Sequence, residues 1–189
     1  MAGGAVEAAF AATPRRAFLP HWQRRFAGLD RALDIGHGQT NSQPLTVRAM
    51  LKLLDVRSGQ RVLDVGSGSG WTTALLAHLV GPDGEVVGVE IVPDLVVTGR
   101  ANLERFERPQ ARIEPADPDV LGLPSLAPFD RILVSAEATT MPTSLVDQLV
   151  DGGRLVVPVA GVMHEVVRQG TSARVVRHGR YAFVPLVGG

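Results

Sequence analysis

The chain has 189 residues, and its 19 lysines and arginines balance 19 aspartates and glutamates. With zero formal net charge it has no overall field to draw it to nucleic acid or to an anionic membrane. The absence of cysteine excludes thiol catalysis, disulfides and cysteine-held zinc.

The length suits a single domain spanning 1–189, large enough for a substantial core. No apolar run is long enough to cross a bilayer. The alanine-rich start has no cation ahead of its apolar stretch, and Arg15 and Arg16 follow it, the reverse of a signal peptide. A soluble, cytoplasmic protein is expected.

Ala5–Ala12 reads as a short helix ended by Pro14, and Pro20–Thr40 as irregular chain. In Leu45–Leu54 apolar residues recur at helical spacing. From there strand and helix alternate. Arg61–Val65 is a strand followed by a helix over Thr72–Val80, then the turn Gly81-Pro82-Asp83-Gly84. Val86–Glu90 and a helix over Asp94–Phe106 repeat the unit. Arg112–Glu114 is a weak strand and Arg131–Ser135 a strong one. Pro142–Val150 reads as a helix with proline in its first turn, ended by Gly152-Gly153. Leu155–Val159 is a fifth strand, and Val162–Arg168 with Ala173–Val184 form a closing antiparallel pair. The predicted fold is α/β: a Rossmann-like, doubly wound, mostly parallel sheet with helices on both faces.

Val62-Leu63-Asp64-Val65-Gly66-Ser67-Gly68-Ser69-Gly70 is the strongest local signal. A glycine-rich turn from strand to helix lets backbone approach a ligand closely. The pattern is D-x-G-x-G-x-G; Trp71 stands where a dinucleotide fingerprint needs its third glycine, and no P-loop G-K-S/T follows. This points away from NAD and ATP and towards S-adenosylmethionine. Glu90 ends the next strand, where an acid can take both hydroxyls of a ribose; capping the following helix is the alternative.

Thr13-Pro14-Arg15-Arg16-Ala17-Phe18-Leu19-Pro20, Gly38-Gln39-Thr40-Asn41-Ser42-Gln43-Pro44, the glycine turn, Phe129–Ala136, Gln148–Pro158 and Phe183-Val184-Pro185-Leu186 together resemble the protein-L-isoaspartate O-methyltransferase family. The resemblance spans nearly the whole chain. It implies methyl transfer from S-adenosylmethionine to the carboxylate of L-isoaspartyl residues in damaged proteins or peptides, and a monomer. It implies Ser42 and Thr40 as catalytic residues. For the cofactor it implies Gln39, Asn41, Asp64, Gly66, Ser67, Gly68, Gly70, Glu90, Ile91, Asp117 and Ser135, with residues 1–44 covering the site and 45–189 forming the core. On the residues alone, Thr40 and Ser42 also fit a simple turn, with Ser42 capping the next helix.

The chain departs from the family in several places. It begins about one helix late, so a covering piece is expected to be absent or replaced. Asn41 stands where an aliphatic residue is usual. Ala116-Asp117-Pro118 replaces Gly-Asp-Gly, and Pro118 has no N–H to offer an adenine ring; Asp119 competes with Asp117 as the functional acid. Glu137 stands where a small residue is usual. Pro118 and Glu137 leave room for a different carboxylate acceptor or a non-catalytic relative.

The histidines lack ligand spacing, so no metal site is expected. Arg15-Arg16 and Arg24-Arg25 read as solvated pairs. Trp22 and Trp71 read as packing residues.

Overall fold

The computed structural model describes residues 2–187. Its elements in chain order are α1 (Ala2–Ala12), β1 (Leu33–Gly36), β2 (Gln39–Asn41), α2 (Pro44–Leu54), β3 (Arg61–Val65), α3 (Trp71–Val80), β4 (Glu85–Glu90) and α4 (Pro93–Glu104). They continue with β5 (Ala111–Pro115), β6 (Phe129–Val134), α5 (Thr143–Asp147), β7 (Leu149–Val159), β8 (Val162–Gln169) and β9 (Ser172–Arg180). β1 and β2 form a separate hairpin; the other strands make one sheet in the order β5-β4-β3-β6-β7-β8-β9. Pairing from β5 through β7 is parallel, and β8 and β9 close the sheet antiparallel. This is the doubly wound, mostly parallel sheet expected. The chain steps outward from β3 to β4 and β5, then returns to lay β6 on the other side of β3. A crevice opens at such a reversal, beyond the carboxyl ends of β3, β4 and β6.

Strand alternation divides the core in two. Val62, Val86, Leu133 and Val156 face one layer, against α1, α2, α3 and apolar residues of α4. Leu63, Ile132, Val134, Leu155 and Val157 face the other, which α5, the 121–127 segment and Leu186 cover. Two arginines of the sheet hold α2 from below: Arg131 Nε donates to Leu54 O (2.8 Å) and Arg154 Nη1 to Leu53 O (2.6 Å). Guanidinium groups at a helix C-terminus meet carbonyls that have no partner within the helix.

Several expectations need correction. The first turn of α2 is not capped by Ser42. Gln43 occupies the cap position without capping a backbone N–H of the helix through its side chain, and the Asp30 carboxylate accepts from Leu45 N–H (2.9 Å) and Gln43 Nε2 (2.8 Å). The 20–40 stretch is not irregular: His21–Phe26 is a 3-10 helix, and the β1–β2 hairpin turns at His37 (φ 56°) and Gly38 (φ 71°). Two successive positive φ values at a two-residue loop match the right-handed twist of a hairpin.

The Pro142–Val150 helix shrinks to five residues, because β7 already begins at Leu149, which is fully buried and pairs with Phe129. Gly152-Gly153 sits inside β7, where the register against β6 shifts, rather than ending a helix. A glycine at φ +73° accommodates that bulge. Trp22 is 59% exposed rather than packed. Arg15 is buried rather than solvated.

Candidate active site

The glycine turn is fastened to the end of β4. Gly66 and Ser67 N–H groups both donate to Val89 O (2.9 and 3.1 Å). Gly68 N–H donates to Glu90 Oε2 (2.7 Å), while Glu90 Oε1 accepts from Val92 N–H (2.9 Å). Glu90 is therefore held at both oxygens by backbone, and each oxygen keeps a lone pair for a ligand. Of the two roles weighed from sequence, capping of the next helix is not what the carboxylate does, since Val92 holds the cap position of α4 without a side-chain bond; Glu90 supports the glycine turn instead and stays open to a ribose. Gly68 adopts φ +54°, and a Cβ there would lie 3.3 Å from Ile35 Cδ1 of the hairpin. A methyl group there would press on the tip of Ile35.

Asp64 lies beneath the turn, fully buried, its Oδ2 accepting from the hydroxyls of Thr72 and Thr73 (both 2.8 Å). Burial pushes its carboxyl up to about 6, against the lowering effect of the two threonines. Asp64 Oδ1 and the neighbouring Ser67 Oγ are buried without a partner.

Two adjoining cavities occupy the crevice. The larger is walled by Gln39, Thr40, Gly66, Gly68, Glu90, Ile91, Asp117 and Ser135. The smaller and more polar one is walled by Thr40, Asn41, Ser42, Gly66, Ser67, Gly68 and Ser135. Thr40, Gly66, Gly68 and Ser135 belong to both and mark the junction. Of the expected site residues, Asp64 and Gly70 are not on these walls. Gly70 begins α3, and a Cβ on it would come 3.1 Å from Gly99 O, so its glycine serves helix packing.

Asp117 reaches the larger cavity; Asp119 does not, and donates its N–H to Asp117 Oδ1 (2.9 Å). The backbone there offers a ligand few donors. Ala116 N–H is given to Glu90 O, Val120 N–H to Asp117 O, and Pro118 has none. Among the described residues, Glu90 and Asp117 are the only ionisable groups on the two walls. The lining is anionic, as suits a ligand carrying positive charge.

The Gln39–Ser42 side of the junction is held by Arg15. Its guanidinium donates to Asn41 Oδ1 (2.7 Å) and to the carbonyls of Leu29 (3.0 Å), Arg31 (2.8 Å), Asn41 (2.8 Å) and Ser42 (2.9 Å). It also lies over the Trp71 ring, 5.4 Å from the centroid. Burial lowers the Arg15 pKa to about 10, which leaves it charged at neutral pH. Trp71 is buried, and its indole N–H donates to Thr13 O (3.1 Å).

The family described as Protein-L-isoaspartate(D-aspartate) O-methyltransferase matches residues 1–189. The chain belongs to this family. It is 44% identical over 185 residues to a protein-L-isoaspartate O-methyltransferase of Methanothrix thermoacetophila, covering 97% of this chain and 88% of that one. It is 38% identical to one from Pyrococcus horikoshii, covering 97% and 84%. A Plasmodium falciparum crystal structure assigned to the same methyltransferase, in complex with S-adenosyl-L-homocysteine, superposes with a TM-score of 0.85 at 28% identity, covering 96% and 89%.

For a protein-L-isoaspartate O-methyltransferase, the residues that sequence reasoning missed are on the larger wall. Ile35 closes it from the hairpin, and Val184, Pro185, Leu186 and Val187 close it from the far end of the chain. The tail is pinned by Glu137, whose N–H donates to Val184 O and whose carbonyl accepts from Leu186 N–H (both 2.8 Å). The Phe183-Val184-Pro185-Leu186 motif was visible, but nothing local in it tells of a cavity wall. Among the described residues no cluster of His, Asp and Glu is suited to hold a metal ion, and no helix is long and apolar enough to cross a membrane.

Proposed function

We propose that the protein transfers a methyl group from S-adenosylmethionine to the free carboxylate of L-isoaspartyl residues in damaged proteins or peptides. The observation that carries this reading is the junction at Thr40, Gly66, Gly68 and Ser135, where two cavities meet under a backbone turn. The residues present fit the cofactor. Glu90 has free lone pairs for a ribose, Asp117 an oxygen for the adenine amino group, and the glycine turn gives close access to backbone. Ser67, whose Oγ is unpartnered, lines the smaller, more polar cavity, the side suited to the polar amino-acid end. When bound there, the cofactor supplies a methyl group on a positively charged sulfur.

The protein's part is then modest and specific. An isoaspartyl carboxylate is already ionised at neutral pH, so no general base is required, and the described residues of the walls include no histidine, lysine or cysteine. Methyl transfer joins a carboxylate to a cationic centre and leaves two neutral products. A site that excludes water and fixes alignment favours such loss of charge. The Ser42 hydroxyl orients one carboxylate oxygen while the other attacks, and Thr40 lines the path between donor and acceptor. The methyl ester formed is open to attack by the adjacent backbone amide nitrogen, which expels methanol and gives a succinimide; water then reopens the ring in part to normal aspartate.

Of residues 1–44, expected as a cover over a core of 45–189, α1 and Phe18 join the core and the 19–44 part covers the site, in one monomeric, cytoplasmic unit that binds no nucleic acid. The balanced charge supports the last point. The test is methyl transfer from labelled S-adenosylmethionine to paired isoaspartyl and aspartyl peptides. Label on the isoaspartyl peptide alone is expected. Equal labelling, or labelling of another acid only, would replace this acceptor assignment.

A further inference from the structure

Asn41 flanks the catalytic candidates on the smaller wall, but both ends of its amide are taken by protein partners, so the side chain supports that wall rather than making the cofactor contact expected from sequence. It is 5% exposed, and it accepts from Arg15 Nε at 2.7 Å. A guanidinium has no acceptor to offer, so the amide oxygen must face Arg15 and the amide nitrogen must face the other way. There Nδ2 donates to Ser69 Oγ at 3.3 Å. Ser69 belongs to the glycine turn, is itself buried, and has its carbonyl held by Asn102 Nδ2 (3.0 Å). Arg15, Asn41 and Ser69 thus form one continuous polar chain. It runs from the N-terminal segment, through the strand bearing Thr40, to the turn bearing Gly66 and Gly68.

We propose that the Arg15–Asn41–Ser69 chain is a positioning device: it sets the spacing between the Thr40–Ser42 wall and the glycine turn, and through it the alignment of the two reacting groups. The inference rests on the methyl-transfer reading given above. An aliphatic side chain at position 41 would fill the same space and leave both walls in place, yet it would leave Ser69 Oγ and one Arg15 donor unpaired. Buried polar groups linked in series hold one geometry against small displacements. Methyl transfer depends on such displacements more steeply than binding does.

Asn41→Leu keeps the volume and removes both bonds; Ser69→Ala removes only the far bond. Each is expected to lower kcat about tenfold while the cofactor dissociation constant stays within about twofold, and the double variant should lose no more than either single one. In both, backbone amides of Gly68 and Gly70 should exchange with deuterium about tenfold faster in the ligand-free protein, because local opening becomes easier. Asn41→Asp should restore both readouts, since a carboxylate accepts from Arg15 and from the Ser69 hydroxyl together.

A purely structural role would lower the melting temperature and leave kcat and exchange within about twofold, which overturns the proposal. Lost turnover without faster exchange overturns it too, because the link to the turn is then not the cause. If the wild type ignores isoaspartyl peptide, the functional reading fails, and the exchange comparison alone decides the positioning chain.

Discussion

Replacing Asp64 with asparagine isolates the cost of holding a carboxylate under the glycine turn. The group is fully buried, and its pKa is raised from 3.8 to about 6. At ~1.4 kcal/mol per unit this amounts to ~3 kcal/mol of folding stability. The sign follows from the direction of the shift. Below the unfolded value both states are protonated and nothing is lost. As pH rises through the folded value, the unfolded state has already given up its proton and the folded state must follow at a cost. The contribution is therefore present in acid and lost by neutrality.

Asparagine keeps an oxygen for the Thr72 and Thr73 hydroxyls and does not titrate. Its new N–H group faces the position where Oδ1 has no partner, a penalty of about 1–3 kcal/mol that does not depend on pH. The difference in urea-unfolding free energy between the variant and the wild type should shift in the variant's favour by about 2 kcal/mol from pH ~4.5 to pH ~7.5. A difference that stays flat across that range refutes the argument, because the carboxyl would then titrate alike in both states.

Gly68→Val places a branched residue at φ +54° with Cβ 3.3 Å from Ile35 Cδ1; calorimetry should show no S-adenosylhomocysteine binding, while circular dichroism stays native. Ser42→Ala should lower kcat by roughly 10–100-fold in the peptide methylation assay with cofactor affinity nearly intact. Loss of cofactor binding instead would make Ser42 a structural residue. Glu90→Ala should do the reverse, weakening the cofactor by about 10-fold or more, since it removes the ligand oxygens and the support of Gly68 N–H together. Pro118→Gly restores a backbone donor beside Asp117 and should tighten cofactor binding by about 1 kcal/mol in the same calorimetric titration; unchanged affinity would place the adenine away from this wall.

The parts of the fold legible in the sequence are those set by local pattern. The run from Val62 to Gly70 contains its own strand and turn, and the structure puts both where the pattern does, with Gly66 and Gly68 on a cavity wall but Asp64 and Gly70 off it. The sequence suggests a helix over 142–150 because Leu149 and Val150 continue a helical pattern just as well as they begin a strand. The choice between them is made by Phe129, a distant partner. Arg15 shows the same limit for the site. Beside Arg16 it reads as one of a charged pair; only the folded chain brings five acceptors around it. Ile35 and Val184–Val187 are ordinary apolar residues whose place on a cavity wall is decided by tertiary contact alone. Asp30, the group that holds the first turn of α2, lies in a loop with no helix signal of its own.

The outer edge of the sheet bears on how the molecule behaves in a crowded solution. β9 is a nine-residue strand with one side of its backbone open, the form of surface on which another chain's strand can add. It carries Arg174, Arg177, His178 and Arg180 and no acid. A second copy docking there would bring two sets of three arginines close together, with only Glu165 of β8 near Arg174 and His178 to offset them. Repulsion of that sort leaves the edge exposed yet inert towards its own kind, and it weakens as salt screens the charges. Concentrated salt, rather than heat or dilution, is the condition in which light scattering should first detect copies joined along β9.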